Sequence, residues 1–379
     1  MTLRHNRGVP RPAQSDLVIV LTYYSPYVSG LTNYARDVAE GLAGRGHTVT
    51  VVTTQHDREL PTAEKIRGVQ VLRAPVLAHL GKGAISPAFM PLARRAADGS
   101  RLVNLHLPML EAGALAAVVQ PPVVSTYHCD VSLPAGAANT AQVRLVDAST
   151  RMALARSRSV VVTSEDYARH SRVWDSVRGR QVVIPPPCHE RAGGAPTYRD
   201  GDGLHVGFLG RIVEEKGVEY LVEGFVELDD PDSRLLIAGD FTNVAGGSVV
   251  DRVRQKIGTD DRIAVLGFIA DERLADFYAS LDVFALPSIN AFEAFGIVQV
   301  EAMMVGVPAL TTDLPGVRQP VLRTGYGVVV PPRDPAAIAA ALARLRDDPP
   351  DHARGAKLAR ELFSLDAVLD SYEELLERV

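Results

Sequence analysis

Short β-branched runs alternate with stretches of helical period along this chain, and few folds accept that alternation. LVIVLT (17–22), TVTVVT (48–53), LVNL (102–105), VVST (123–126), SVVVT (159–163) and QVVI (181–184) are each rich in Val or Ile. Apolar runs without polar alternation mark strands buried on both faces, so the pattern predicts a parallel sheet covered by helices. Between the first two runs, Leu31, Tyr34, Ala35, Val38 and Leu42 share one helical face, and Gly44 and Gly46 stop the helix. After Ile184 come three prolines and the stretch ERAGGAPTYRDGDG, which has no period and reads as an interdomain linker.

The pattern then restarts with LHVGFL (204–209), a helix carrying Val218, Leu221, Val222 and Phe225, and the runs RLLIA (234–238), IAVLGF (263–268), DVFALP (282–287) and PALTT (308–312). A second doubly wound domain follows, and 379 residues suit two such domains. The first is placed at 1–190 and the second at 200–359, with a C-terminal helix of about 360–379 packing back on the first. Open α/β domains bind ligands outside the carboxyl ends of their strands. Function is therefore expected on loops after strands, in a cleft where the two domains face each other.

Composition narrows the partners. With 46% hydrophobic and 22% charged residues the chain is globular, and a formal net charge of -5 gives no whole-chain attraction to nucleic acid. Two cysteines, Cys129 and Cys188, are too few for a disulfide framework and suit a reducing, cytoplasmic location. MTLRHNRGVPRPAQSD is polar and runs into only a short apolar stretch, so it reads as a frayed extension rather than a signal peptide. No apolar run reaches the roughly 18 residues of a membrane span, so any membrane contact is expected to be peripheral.

Two motifs carry chemistry. GFLGRIVEEKGVEYL sets Gly207, Gly210, Arg211, Lys216 and Gly217 at a turn between a strand and a helix. Glycines let a diphosphate approach the backbone, while Arg211 and Lys216 offer charge-assisted donors. PSINAFEAFGIVQVEAMMVGVP starts a helix at about Phe295, so the amides of Phe295, Gly296 and Ile297 form a second anion site favoured by the helix dipole. Glu293 precedes that helix and Glu301 lies within it, among apolar residues where an unpaired carboxylate is costly. On residue type alone, Arg211 and Lys216 also fit a solvated turn, Glu293 a helix-end charge, and Glu301 a buried salt bridge to an arginine.

GRIVEEKG and LPSINAFEAFGIVQVEAM, with the two-domain pattern before them, resemble the large family-four group of retaining GT-B glycosyltransferases over nearly the whole chain. The resemblance implies a GT-B fold of two Rossmann-like domains. It implies that Arg211 and Lys216 hold the donor diphosphate, Glu293 contacts hydroxyls of the transferred sugar, and Glu301 binds the ribose. The amides of Phe295, Gly296 and Ile297 would serve sugar and phosphate together, and the backbone at Gly267 and Phe268 would lodge the base. In the N-terminal half, the family's loop usually ends in two glycines; here Ser29 stands for the first and Gly30 is retained. His128, after VVST, would contact the sugar's hydroxymethyl group or the reacting centre, with His106, Tyr127 and Asp130 as acceptor-side candidates. Ser164 and Glu165 match a family turn, and helix capping explains them equally well.

The implied activity is transfer of a hexose, with retention, from a UDP- or GDP-linked sugar to a hydroxyl acceptor in a glycan, glycolipid or natural product. The nucleotide sugar is a co-substrate, and no cofactor or metal is required. No DxD-type pair stands beside the phosphate loop. The segment from Val76 to Arg101, with Lys82, Arg94 and Arg95, is expected on the acceptor side. Two other classes share the tandem architecture. A nucleotide-linked oxidoreductase would need G-x-G-x-x-G after a strand, which the chain lacks. A two-lobed sugar-binding protein would need neither the basic pair nor a nucleotide.

Overall fold

Leu17, Val18, Ile19 and Val20 are all but wholly buried, as an apolar run without alternation requires of a strand covered on both faces. The structure is a computed structural model that describes residues 15–378, apart from 81, 82, 134, 243–246, 291 and 292. The extension at 1–14 and Lys82 lie outside the described residues. The chain divides into two compact units. The first takes the described parts of Met1–Val162 and Leu369–Val379 with Ser171–Val183; the second takes Thr163–His170 and Ile184–Val368.

In the first unit an eight-stranded sheet runs in the order Gln181–Val183, Ser159–Val162, Val123–Tyr127, Leu102–Leu107, Leu17–Val20, Val49–Gln55, Val69–Pro75, Ala63–Ile66. All neighbours pair in parallel except the last two. Leu17 pairs with Val49 on one side and Leu102 on the other, so the sheet winds outward in both directions from the first strand. That reversal of strand order is the switch point at which such sheets bind ligands. The last two strands and a hairpin of Ala78–Leu80 with Gly83–Ile85 were not among the predicted strands.

In the second unit six parallel strands run in the order Ile263–Gly267, Arg234–Ala238, His205–Leu209, Val283–Leu286, Ala309–Thr312, Gly327–Val330. Only the last was not anticipated. Here the order reverses between His205–Leu209 and Val283–Leu286, the strands that precede the two chemistry-bearing motifs. Phe208, Leu221, Val222, Phe225 and Ile237 form the centre of one core, and Val300, Met303, Met304 and Phe363 of another.

The expected linker is a strap on the second unit. Cys188 N–H donates to Phe363 O at 3.0 Å, Ala195 N–H to Asp276 at 2.9 Å, and Arg199 pairs with Asp282 at 2.9 Å. A Cβ on Gly194 would stand 2.0 Å from Ala275 O, so this glycine serves close packing rather than flexibility.

The expected helix at 360–379 is two helices, His352–Phe363 and Leu365–Arg378, broken at Ser364 where ψ turns to 156°. The second packs on the first unit. Tyr372 OH lies 3.0 Å from Tyr34 OH and 3.3 Å from Thr126 Oγ1, and a Cβ on Gly41 would stand 2.6 Å from Leu369. Tyr372→Ala should cost about 3–5 kcal/mol as a large aromatic truncation. Tyr372→Phe, which removes only hydrogen bonds, should cost about 1 kcal/mol. Urea unfolding of both variants checks the ranking.

Candidate active site

The second unit's switch point is built from backbones in close contact. Gly210, at the end of His205–Leu209, donates to Ala238 O at 3.0 Å. A Cβ on Gly239 would lie 1.7 Å from Gly210 O, so only glycine lets these two strand ends meet. The chain then makes a 3-10 turn at Glu214–Lys216, ended by Gly217 in the left-handed region at φ 64°. A Cβ there would lie 2.2 Å from Pro287 O, and Ile289 N–H donates to Glu215 O at 2.9 Å. The phosphate-type loop is thereby stitched to the loop leading out of Val283–Leu286. Lys216 and Glu293 meet as a result: Lys216 Nζ donates to Glu293 Oε2, with both side chains about one-sixth exposed. Arg211 is half exposed, its guanidinium 3.3 Å from Glu215.

The following helix begins at Ile297, not Phe295. Gly296 caps it at φ 83°, where a Cβ would meet Leu286 at 2.4 Å, so the left-handed turn delays the helix. Phe295 is core, with its ring 5.6 Å from that of Phe363, and its amide precedes the helical turn. The first-turn amides are those of Ile297, Val298 and Gln299, and Gln299 N–H already donates to Gly296 O at 3.2 Å. The Gln299 side chain, which sequence reasoning missed, ties the turn by donating at 2.8 Å to Phe295 O and at 2.8 Å to Val317 O.

Glu301 has an arginine partner. Its Oε1 lies 3.4 Å from Arg191 Nε, and its Oε2 accepts from Tyr278 OH at 3.1 Å. Burial raises the carboxyl pKa, opposed by Arg191 and by the Tyr278 hydrogen bond. Arg191 comes from the strap and also pairs with Asp271 at 2.9 Å. No local sequence signal could have chosen it over the other arginines. Gly267 ends its strand at φ 73° and accepts from Gly239 N–H at 2.8 Å, and Phe268 beside it is 76% exposed.

In the first unit, Gly30 opens the helix Gly30–Gly44. Ser29 is the N-cap, accepting from Thr32 N–H at 3.1 Å, which accounts for serine where a second glycine was expected. His106 and Tyr127 lie within strands, not after them, because Leu107 still pairs with Tyr127. His106 Nδ1 is 3.0 Å from His128 Nε2, and both imidazoles are buried. Burial holds His128 down to about 3 and His106 well below its ordinary value, so both are neutral near pH 7. Tyr127 OH donates to Asp130, whose other oxygen accepts from Arg172 N–H at 3.1 Å. Asp130 thus anchors a loop. Ser164 caps a helix by accepting from Tyr167 N–H at 3.0 Å. Among the described residues, no group of three or more His, Cys, Asp or Glu side chains could hold a metal ion. Nor, among them, is any helix long and apolar enough to cross a membrane.

Residues 197–362 match the family model described as glycosyl transferases group 1, and residues 29–187 match that of a glycosyl transferase 4-like domain. A D-inositol 3-phosphate glycosyltransferase of Xylanimonas cellulosilytica is 27% identical over 388 residues, spanning 92% of this chain and 92% of its own. Among solved structures, sucrose-phosphate synthase of Thermosynechococcus elongatus has a TM-score of 0.75 at 22% identity, covering 96% of this chain and 99% of that one. HepE of Anabaena, solved in complex with UDP and glucose, has a TM-score of 0.66 at 17% identity, covering 97% and 100%. At such identities the structural likenesses speak for the fold, while the two family models span both units. The chain belongs to the group 1 glycosyltransferases and has their GT-B fold of two Rossmann-like domains.

Proposed function

We propose that this glycosyltransferase moves a hexose from a UDP- or GDP-linked donor to a hydroxyl acceptor with retention at the anomeric carbon. The observation that carries this reading is the contact of Lys216 with Glu293 at a switch point beside a helix N-terminus. A cation for the diphosphate and a carboxylate for sugar hydroxyls stand side by side. The bond from the anomeric carbon to the diphosphate breaks first, so negative charge grows on the leaving oxygen. Lys216, Arg211 and the first-turn amides after Gly296 offset that charge. The acceptor oxygen then bonds to the same face, and its proton passes to the departing diphosphate. No side-chain nucleophile and no metal enter the step; the donor itself is the only co-substrate beside the acceptor.

Donor binding would separate Lys216 from Glu293, freeing the carboxylate for hydroxyls of the transferred sugar. A carboxylate has about four lone-pair sites. Glu301 can therefore keep Arg191 and Tyr278 while accepting ribose hydroxyls. The exposed backbone around Gly267 and Phe268 suits the base, and His128 the sugar. One relative is named a D-inositol 3-phosphate glycosyltransferase, and one structural neighbour was solved in complex with UDP and glucose.

For the acceptor, Leu77 and Ile85 are exposed and adjacent, with Leu77 N–H donating to Ile85 O at 2.9 Å. A lipid-linked acceptor met at a membrane surface is one reading of that pair, and a soluble glycan or natural-product acceptor is the other. Flotation with anionic liposomes that left all the protein in the soluble fraction would count against the first.

A thermal-shift panel of nucleoside diphosphates and their sugars tests the core reading. The true donor at a hundred times its Kd should stabilise by about 2.7 kcal/mol, and no shift with any of them would refute the reading. Glu293→Ala should chiefly lower kcat. Glu301→Ala should chiefly raise the donor KM, by ~10–150-fold if hydrogen bonds to a charged group are lost. Equal effects on both parameters would contradict that division. A Cβ on Gly30 meets nothing within 4 Å, so Gly30→Ala should leave stability unchanged yet weaken donor binding if phosphate approaches this amide.

A further inference from the structure

The neighbouring strands Leu102–Leu107 and Val123–Tyr127 enclose a file of buried polar side chains that ends at His128. Asn104 Nδ2 lies 3.1 Å from Val124 O and 2.9 Å from Thr126 Oγ1. Asn104 Oδ1 lies 2.9 Å from His106 Nε2, and His106 Nδ1 lies 3.0 Å from His128 Nε2. Asn104 and His106 are 1% exposed, so no bulk water is at hand to rearrange these bonds.

The direction of every bond in the file follows from its first member. A backbone carbonyl can only accept, so the atom of Asn104 facing Val124 O must be the amide nitrogen. The opposite orientation would set two oxygens against each other in a buried site. Asn104 Oδ1 therefore faces His106, and His106 Nε2 must carry a proton. His106 is fully buried and its imidazolium strongly disfavoured, so Nδ1 is a bare lone pair. His128 Nε2 must then carry the proton that fills this contact. His128 is neutral as well, which leaves its Nδ1 unprotonated, and that nitrogen has no hydrogen-bond partner among the described residues.

We propose that Asn104 and His106 are positioning residues that lock His128 as the neutral Nε2–H tautomer, so that its Nδ1 accepts a hydrogen bond from a hydroxyl of the transferred sugar. This rests on the reading that His128 meets the donor sugar. His128 then cannot act as a proton donor or pair with phosphate, because its other ring nitrogen, Nδ1, offers only a lone pair. The same lone pair repels a carboxylate, so the position selects a neutral hydroxyl over the acid group of a uronic sugar. The groups packed around the imidazoles keep this state. Tyr34 lies edge-on, 4.9 Å from the His128 ring and 5.9 Å from that of His106, and it bonds to Tyr372. Burial raises both phenols, that of Tyr372 to about 12, and raises the Cys129 thiol next to His128 to about 11. The nearby Asp130 is held by Tyr127 and Arg172.

The test is nitrogen NMR of the 15N-histidine-labelled full chain, with the His128 signals assigned by their loss in His128→Gln. The expected wild-type result is a protonated Nε2 and an unprotonated Nδ1 that do not titrate between pH 5.5 and 8.5, a window set about the ordinary histidine value of roughly 6.5. Asn104→Leu should release the lock, giving a mixture of tautomers or a titration within that window. It should also add a limb to the pH profile of kcat/KM that the wild type lacks, which a loss of stability alone would not produce. A protonated Nδ1, or an imidazolium near pH 7, in the wild type would overturn the proposal even if the variant failed to fold. If the spectrum is as expected but His128→Phe turns over like the wild type, the tautomer lock stands while the hydroxyl contact falls.

Discussion

Lys216 and Glu293 can meet because two loops touch through their backbones at Gly217 and Pro287. Any side chain at Gly217 would occupy the Pro287 carbonyl, and left-handed φ there would strain any residue but glycine. The Gly210–Gly239 contact fixes the other end of the same loop. These glycines give a rigid frame to two side chains that would otherwise search freely. Within this pair each charge is the other's counterion. On the proposed reading, a donor diphosphate would replace Glu293 at Lys216, so that diphosphate binding and release of the Glu293 carboxylate would become one event. Exposed ion pairs contribute little, and this pair, largely screened from water yet not sealed, can be exchanged for a better anion.

The two units use different electrostatics. The second concentrates charge near its helix and its strap, with Lys216–Glu293 exchangeable and Arg191–Glu301 buried under Tyr278. The first keeps a neutral file, Asn104–His106–His128, whose burial removes protons rather than pairing them. On the proposed reading, the charged pairs would serve the departing diphosphate and the neutral file the hydroxyls of the sugar.

The doubly wound fold was legible because strands buried on both faces need unbroken apolar runs, as at Leu17–Val20 and Arg234–Ala238. Ala63–Ile66 was not legible, since an edge strand of AEKI, half exposed and antiparallel, has no such requirement. The stretch after Ile184 reads as an interdomain linker when only its neighbours in sequence are known, and its contacts with Asp276 and Asp282 could not be seen there. The sequence singles out Lys216, Glu293 and Glu301 and an arginine partner for Glu301 by type, but not which arginine, nor the contact of Lys216 with Glu293. Arg191 and Gln299 act through contacts that depend on the fold, and the shift of the helix start to Ile297 depends on the crowding of Gly296 by Leu286. His106 was placed after its strand because a polar residue following LVNL looks like a strand's end, whereas it is satisfied inside the sheet by Asn104.

Competition between a donor diphosphate and Glu293 for Lys216 is read by calorimetric titration with UDP and with GDP. Lys216→Met should weaken the nucleotide that binds by ~10–150-fold, the range for a lost bond between charged groups. Glu293→Gln should bind that nucleotide at least as tightly as the wild type, because the competing charge is gone. Unchanged binding by Lys216→Met, or a loss in Glu293→Gln as large as in Lys216→Met, would contradict that competition.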